Sequence, residues 1–167
     1  SSSVQEKGHL LEVSQPHEAY ALDADHARIV QSVANLLVNA AKYTPAGGTI
    51  SLVAMVEGPV VTFRVRDNGR GLEADSLNRI FEMFAQAKSP DEPLSGLGIG
   101  LNLARKFAEM HGGTISAASE GLGKGSEFVL TLPVVAGVQV PDAPAVDPAA
   151  DCGGDGRRVL VVDDNSD

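Results

Sequence analysis

Residues 49–67 read "TISLVAMVEGPVVTFRVRD", two strongly apolar runs that break only at Gly58-Pro59. Val, Ile, Thr and Phe suit an extended, half-buried backbone, and a Gly-Pro break between two such runs predicts a β-hairpin. Immediately upstream, from Asp25 to about Tyr43, the period changes. Ile29, Val33, Leu36, Leu37 and Ala40 recur at helical spacing, and "TPAGG" at 44–48 supplies the stop. Downstream, "EADSLNRIFEMF" at 73–84 predicts a short helix with Leu77, Ile80, Phe81 and Phe84 inward. Residues 85–98, rich in Pro, Ser and Gly, read as a loop. A helix from about Ile99 to Met110 follows and closes at His111-Gly112-Gly113, before the strands "TISAASE" at 114–120 and "SEFVLTLP" at 126–133. At the N-terminal side, "HLLEVS" at 9–14 and "EAYALD" at 18–23 alternate like two more short strands around Pro16. Strand pairs mixed with separated helices predict an α/β (α+β) two-layer sandwich, a mixed β-sheet with helices on one face.

Composition bounds what such a domain does. A chain of 167 residues with 43% hydrophobic content can bury one core and a small appendage. Its formal net charge of −9 argues against a nucleic-acid binder, which needs a basic face. No apolar run reaches the roughly 18–20 residues that span a bilayer, and "SSSVQEKGHL" carries no signal-peptide core. One cysteine, Cys152, excludes an internal disulfide framework and suits a reducing compartment. The expectation is a soluble, cytoplasmic domain. After Pro133 the composition shifts: residues 134–156 are rich in Ala, Pro, Asp and Gly without any period, which reads as a linker. Residues 157–167, "RRVLVVDDNSD", then open a strand that ends in two carboxylates, the start of a second domain.

Two glycine-rich runs invite a test for phosphate grips. Gly96, Gly98 and Gly100 fail the dinucleotide-binding spacing, whose third glycine lies three residues after the second. "GLGKGS" at 121–126 fails the P-loop pattern, since Ala118 stands where the first glycine belongs and Gly125 follows Lys124; joining two strands, it reads as a hairpin turn. A different set of residues remains. Asn35, Asn39 and Lys42 are spaced i, i+4, i+7 and share one stripe, opposite the apolar face. An Asn oxygen is a hard, neutral donor that can complete a Mg²⁺ shell already crowded by phosphate, and a lysine one turn on can neutralise phosphate charge. The same stripe also reads as an ordinary polar helix face. Asp67 follows the strand, and its carboxylate can accept from an adenine amine, with Gly69 and Gly71 leaving room for the base; "DNG" is equally a plain turn. The Gly96–Gly100 run leads into a helix whose first amides face an anion, behind a loop free to close over it.

At these residues the chain resembles the catalytic, ATP-binding domain of bacterial sensor histidine kinases, of the GHKL ATPase superfamily with its Bergerat fold. "NLLVNAAKYT" at 35–44 is similar to that family's N box, "DNGRGL" at 67–72 to its G1 box, "IFEMF" at 80–84 to its F box and "GLGIGL" at 96–101 to its G2 box, in the family's order. The resemblance covers roughly residues 10–133. It implies ATP and Mg²⁺ as cofactors, with Asn39 on the metal, Asn35 nearby and Lys42 on a phosphate. Asn39 and Lys42 would carry the catalytic roles. Tyr43 would line the site, Asp67 would bind the adenine amine, and Gly69 and Gly71 would shape its pocket. Residues 85–95 would form the lid, with Gly96, Leu97, Gly98, Ile99, Gly100 and Leu101 as hinge and phosphate-facing backbone. Phe81 and Phe84 would brace that lid, or simply fill core.

The tail resembles the first strand and acidic pair, Asp163 and Asp164, of a response-regulator receiver domain, which makes the parent a hybrid kinase. The implied organisation is a catalytic domain at 1–133, a linker at 134–156 and a receiver start at 157–167. None of His9, His17, His26 or His111 stands in the acidic, Arg/Lys-flanked motif of the family's phosphoacceptor. The implied partner is therefore a histidine-bearing dimerisation domain of the same or a partner kinase, and beyond it a receiver domain in cis or a response regulator. The fragment itself is expected to be monomeric and the full kinase, which can be membrane-anchored, a homodimer. Two other readings stand beside this one. One is a GHKL ATPase that hydrolyses ATP for conformational work, which uses an acidic residue on the first helix where this chain has Asn35 and Asn39. The other is a non-catalytic nucleotide-binding module.

Overall fold

The computed structural model describes residues 8–16, 22–77, 79–83 and 99–134. Five strands form one mixed sheet: β1 (Leu10–Ser14), β2 (Thr49–Glu57), β3 (Val60–Asp67), β4 (Thr114–Ala118) and β5 (Ser126–Pro133), in the order β1-β2-β3-β5-β4. β1 runs parallel to β2, and every other pairing is antiparallel. The hairpin expected around Gly58-Pro59 forms, and so does the second one at 119–125, where Gly121, Gly123 and Gly125 all take positive φ.

The helices are α1 (His26–Tyr43), α2 (Ala74–Leu77) and α3 (Gly100–Met110). Asp25 caps α1, its Oδ1 accepting from the Arg28 amide at 3.2 Å. Strand alternation puts Ile50, Val61, Val65, Phe128, Leu130 and Leu132 on one face of the sheet, and Ile29, Leu36, Ala40 and Ala41 of α1 with Ala108 of α3 bury against it. That is the expected two-layer arrangement, with one core. Each Leu or Ile removed from water there contributes about 1.5–3 kcal/mol.

α1 and α3 run antiparallel, and both ends of α3 are tied to α1 or its cap. The Asp25 amide donates to His111 Nε2 at 3.0 Å, and Asn35 Nδ2 donates to the Gly100 carbonyl at 3.2 Å. Since His111 Nε2 accepts, Nδ1 carries the proton and donates to Phe107 O at 2.7 Å. The ring thus bridges the start of α1 and the end of α3.

Three expectations need correction. The helix over 73–84 shortens to a single turn, Ala74–Leu77, followed by turns at 79–83. The Phe81 carbonyl is taken by Asn102 Nδ2 at 2.9 Å, and the Phe81 ring packs edge-on to Phe128, 6.4 Å away. Beyond Leu77 the chain closes in short turns instead, with the Arg79 amide on Ser76 O and the Glu82 amide on Arg79 O. The buried face of α1 contains Ser32 and Ala41, while Val33 and Leu37 are half-buried. Ser32 tolerates burial because its hydroxyl donates to Arg28 O at 2.8 Å. Of the expected strand at 18–23, Leu22 and Asp23 are irregular, and the rest lies outside the described residues. So do His17, Phe84, the loop 85–98 with Gly96, Leu97 and Gly98, and residues 135–167. Among the described residues, no helix is long and apolar enough to cross a membrane.

Candidate nucleotide site

β3 lies at the centre of the sheet and ends at Asp67, which the pairing register sets between Ile50 of β2 and Ser126 of β5. The carboxylate is buried, at 6% exposure, and both of its oxygens are held. Oδ1 accepts from the Gly69 amide at 2.8 Å, and Oδ2 accepts from Ser126 Oγ at 2.6 Å. Charge-assisted bonds of this kind fix an anionic acceptor in place. A carboxylate has about four lone-pair sites, so capacity remains for an incoming donor.

The loop after β3 then crosses the C-terminal end of α1. The Arg70 amide donates to Tyr43 O at 3.1 Å, and the Arg70 guanidinium stands 4.1 Å from the Tyr43 ring centre. Lys42 Nζ lies 4.8 Å from the same centre. One aromatic ring thus carries two cations, both within cation–π range. On its other side the loop meets the β4–β5 turn: the Gly123 amide donates to Arg70 O at 2.6 Å and the Gly125 amide to Gly69 O at 3.0 Å.

This geometry changes the role expected of the glycines. The space at Gly69 and Gly71 is occupied by the protein's own backbone. A Cβ on Gly69 would strike Tyr43 O, and one on Gly71, where φ is +70°, would strike Gly121 O. They permit close packing of three chain segments around Asp67 rather than open space for a base.

Asn35, Asn39 and Lys42 sit on α1 half-buried. Their stripe does not lie opposite the apolar face: Asn35 reaches Gly100 at the start of α3. The N-box and G2-box residues are therefore brought together there. A Cβ on Gly100 would rest 3.5 Å from Asn35 Cγ, an ordinary contact. Ile99 precedes α3 with no side-chain cap, and Leu101 packs on the core. Sequence reasoning missed Arg70, Ser119 and Ser126. Alternation along β5 gives Ser126 a face, but only the β3–β5 register sets it level with Asp67.

Residues 24–136 match the HATPase_c family model, Histidine kinase-, DNA gyrase B-, and HSP90-like ATPase. The adaptive-response sensory kinase SasA of Synechococcus elongatus is 41% identical over 120 residues, 71% of this chain and 30% of SasA. The aerobic respiration control sensor protein ArcB of Escherichia coli K12 is 40% identical over 119 residues, 70% of this chain and 15% of ArcB. The structure of full-length ShkA in complex with AMPPNP aligns at TM-score 0.68 and 32% identity, covering 81% of this chain and 27% of ShkA. This chain thus spans less than a third of each of these proteins. With its mixed five-stranded sheet, its helices on one face and this match over most of its length, the chain belongs to the HATPase_c family of histidine kinase-, DNA gyrase B- and HSP90-like ATPases.

Proposed function

We propose that this domain binds Mg²⁺-ATP and supplies its γ-phosphoryl group to a histidine on a separate dimerisation domain, as part of two-component signalling. The observation that carries the reading is Asp67: a buried carboxylate, pinned at both oxygens, at the end of β3 where the next loop touches α1 at Tyr43. Its remaining lone pairs accept from the exocyclic amine of adenine. Guanine presents a carbonyl there and is refused. The AMPPNP complex of ShkA and the sensor kinases among the relatives support the nucleotide and the reaction class.

The roles along the site follow from chemistry. Tyr43 lines the nucleotide, with Lys42 and Arg70 against its ring, and Lys42 neutralises phosphate charge. Among the described residues no group of three or more His, Cys, Asp or Glu converges on a metal position. A cage of protein carboxylates is thus not what these residues offer. The neutral oxygen of Asn39, with Asn35 one turn before it, fits Mg²⁺ that arrives on the phosphates. When bound, the ion neutralises phosphate charge and aligns the transferring group. The uncapped start of α3, with Gly96, Gly98 and Gly100 before and at it, supplies backbone amides to the phosphates. Asn39 and Lys42 act by placement and charge, and the transferred group leaves for a nucleophile that the partner domain supplies. In this reading residues 134–156 link the domain to a receiver that begins at 157–167, and the parent is a hybrid kinase.

Calorimetric titration tests the base site. Asp67→Asn keeps the size but exchanges an acceptor for an amide, and ATP affinity should fall roughly ten- to a hundredfold, about 1.5–3 kcal/mol. The unaltered chain should prefer ATP to GTP. Equal affinity for the two nucleotides overturns the assignment of Asp67.

A further inference from the structure

Behind Asp67 stands a small hub that none of the four boxes contains. Ser119 begins the β4–β5 turn, half-buried, and its hydroxyl reaches the backbone of three residues in two segments. Oγ accepts from the Leu72 amide at 2.9 Å and from the Gly121 amide at 3.3 Å, and donates to the Gly125 carbonyl at 2.7 Å. A longer contact to Gly121 O, at 3.3 Å, competes for the same proton. A hydroxyl has one proton and two acceptor sites, so these bonds use its full capacity.

What the hub fixes is the position of both groups that hold the Asp67 carboxylate. Gly125, bound through its carbonyl to Ser119, donates its amide to Gly69 O, and the Gly69 amide in turn donates to Asp67 Oδ1. The next residue, Ser126, donates to Oδ2. The fit is close: a Cβ on Gly125 would strike Asp67 O, so turn and loop cannot slide past one another without losing these bonds. At the far end of the same loop, Leu72 is tied to Ser119 directly. We infer that Ser119 is a positioning residue for base recognition: it touches no nucleotide, and its hydroxyl sets the angle at which Asp67 meets the adenine amine. The inference rests on Asp67 as the adenine acceptor.

The test titrates ATP and GTP into four proteins, the unaltered chain, Asp67→Asn, Ser119→Ala and Ser119→Thr, with a thermal melt on each. Ser119→Ala should weaken ATP about tenfold and change GTP by less than about threefold, so that the ATP/GTP ratio falls. Ser119→Thr keeps the hydroxyl and should restore the ratio to within about threefold of the unaltered chain. A residue that only stabilises the fold would lower the melting temperature and leave the ratio among folded molecules unchanged. If Asp67→Asn loses the ratio while Ser119→Ala keeps it, Ser119 has no positioning role. If the unaltered chain has no ATP preference, the Asp67 assignment itself falls and takes this inference with it. Should the alanine variant not fold, Ser119→Cys, a weaker donor and acceptor, carries the same test. It should give a ratio between those of the unaltered chain and Asp67→Asn, and an unaltered ratio overturns the inference.

Discussion

At Gly71 the backbone takes φ +70°, and a methyl on its Cα would run into the carbonyl of Gly121. Gly100 has neither constraint; a methyl there would rest against the Asn35 carboxamide at 3.5 Å. Gly71→Ala should therefore destabilise the domain by roughly 1–3 kcal/mol, since an L residue is strained there and the turn must also move. Gly100→Ala should change stability by less than about 1 kcal/mol, because alanine is the better helix former at the start of α3. Urea denaturation of the two variants decides the matter, and equal losses would contradict it. The sequence marked both glycines, Gly71 beside the Asp67 carboxylate and Gly100 at the entry to a helix. It did not carry the reason for Gly71, whose opposing wall comes from residues some fifty positions further on. Ser126 was illegible on the same ground: a serine after a Gly-Lys-Gly turn becomes a partner of Asp67 only once the β3–β5 register is known.

Among the elements, α1 joins core to site. Its inward face presents Leu36, fully buried, and its flank presents Asn35 to α3. Leu36→Ala should cost about 2–5 kcal/mol, the range for a buried leucine whose cavity does not collapse, measured by the same denaturation. The other end of α1 answers to a different bond. His111→Ala leaves the Asp25 amide without its acceptor and should cost about 0.5–1.5 kcal/mol. Asp25 and Asn35 are ten residues apart, about 15 Å along the helix, so ATP affinity in this variant should stay within about twofold. A larger change in affinity would show that the α1–α3 junction couples its two ends. Helical spacing made α1 legible to within one residue at its start, the expected first residue, Asp25, being its cap. The same spacing extended α2 too far, because periodicity cannot register the tertiary contacts that draw Phe81 against Phe128 and α3. The hairpins were legible because alternation and Gly breaks are local; the parallel pairing of β1 on β2 is not a local property.

For the whole molecule, the sheet order β1-β2-β3-β5-β4 puts the end of β3 against β5, and the loop after it against α1. That placement gathers residues 43, 67–72 and 119–126 around one carboxylate, while Asn35 and Gly100 meet on the helix layer. The carboxylate proposed for the base and the residues proposed for the phosphates thus lie in different layers of one fold. The family match reaches from residue 24 to 136 and covers both. The central claim, ATP-dependent phosphorylation of a partner histidine, is tested most directly by incubating the chain with Mg²⁺, γ-labelled ATP and a histidine-bearing dimerisation domain. The account predicts acid-labile, base-stable label on that domain, lost in Asn39→Ala while the variant keeps its fold. Release of free phosphate without label on the histidine, or undiminished labelling by Asn39→Ala, would contradict it.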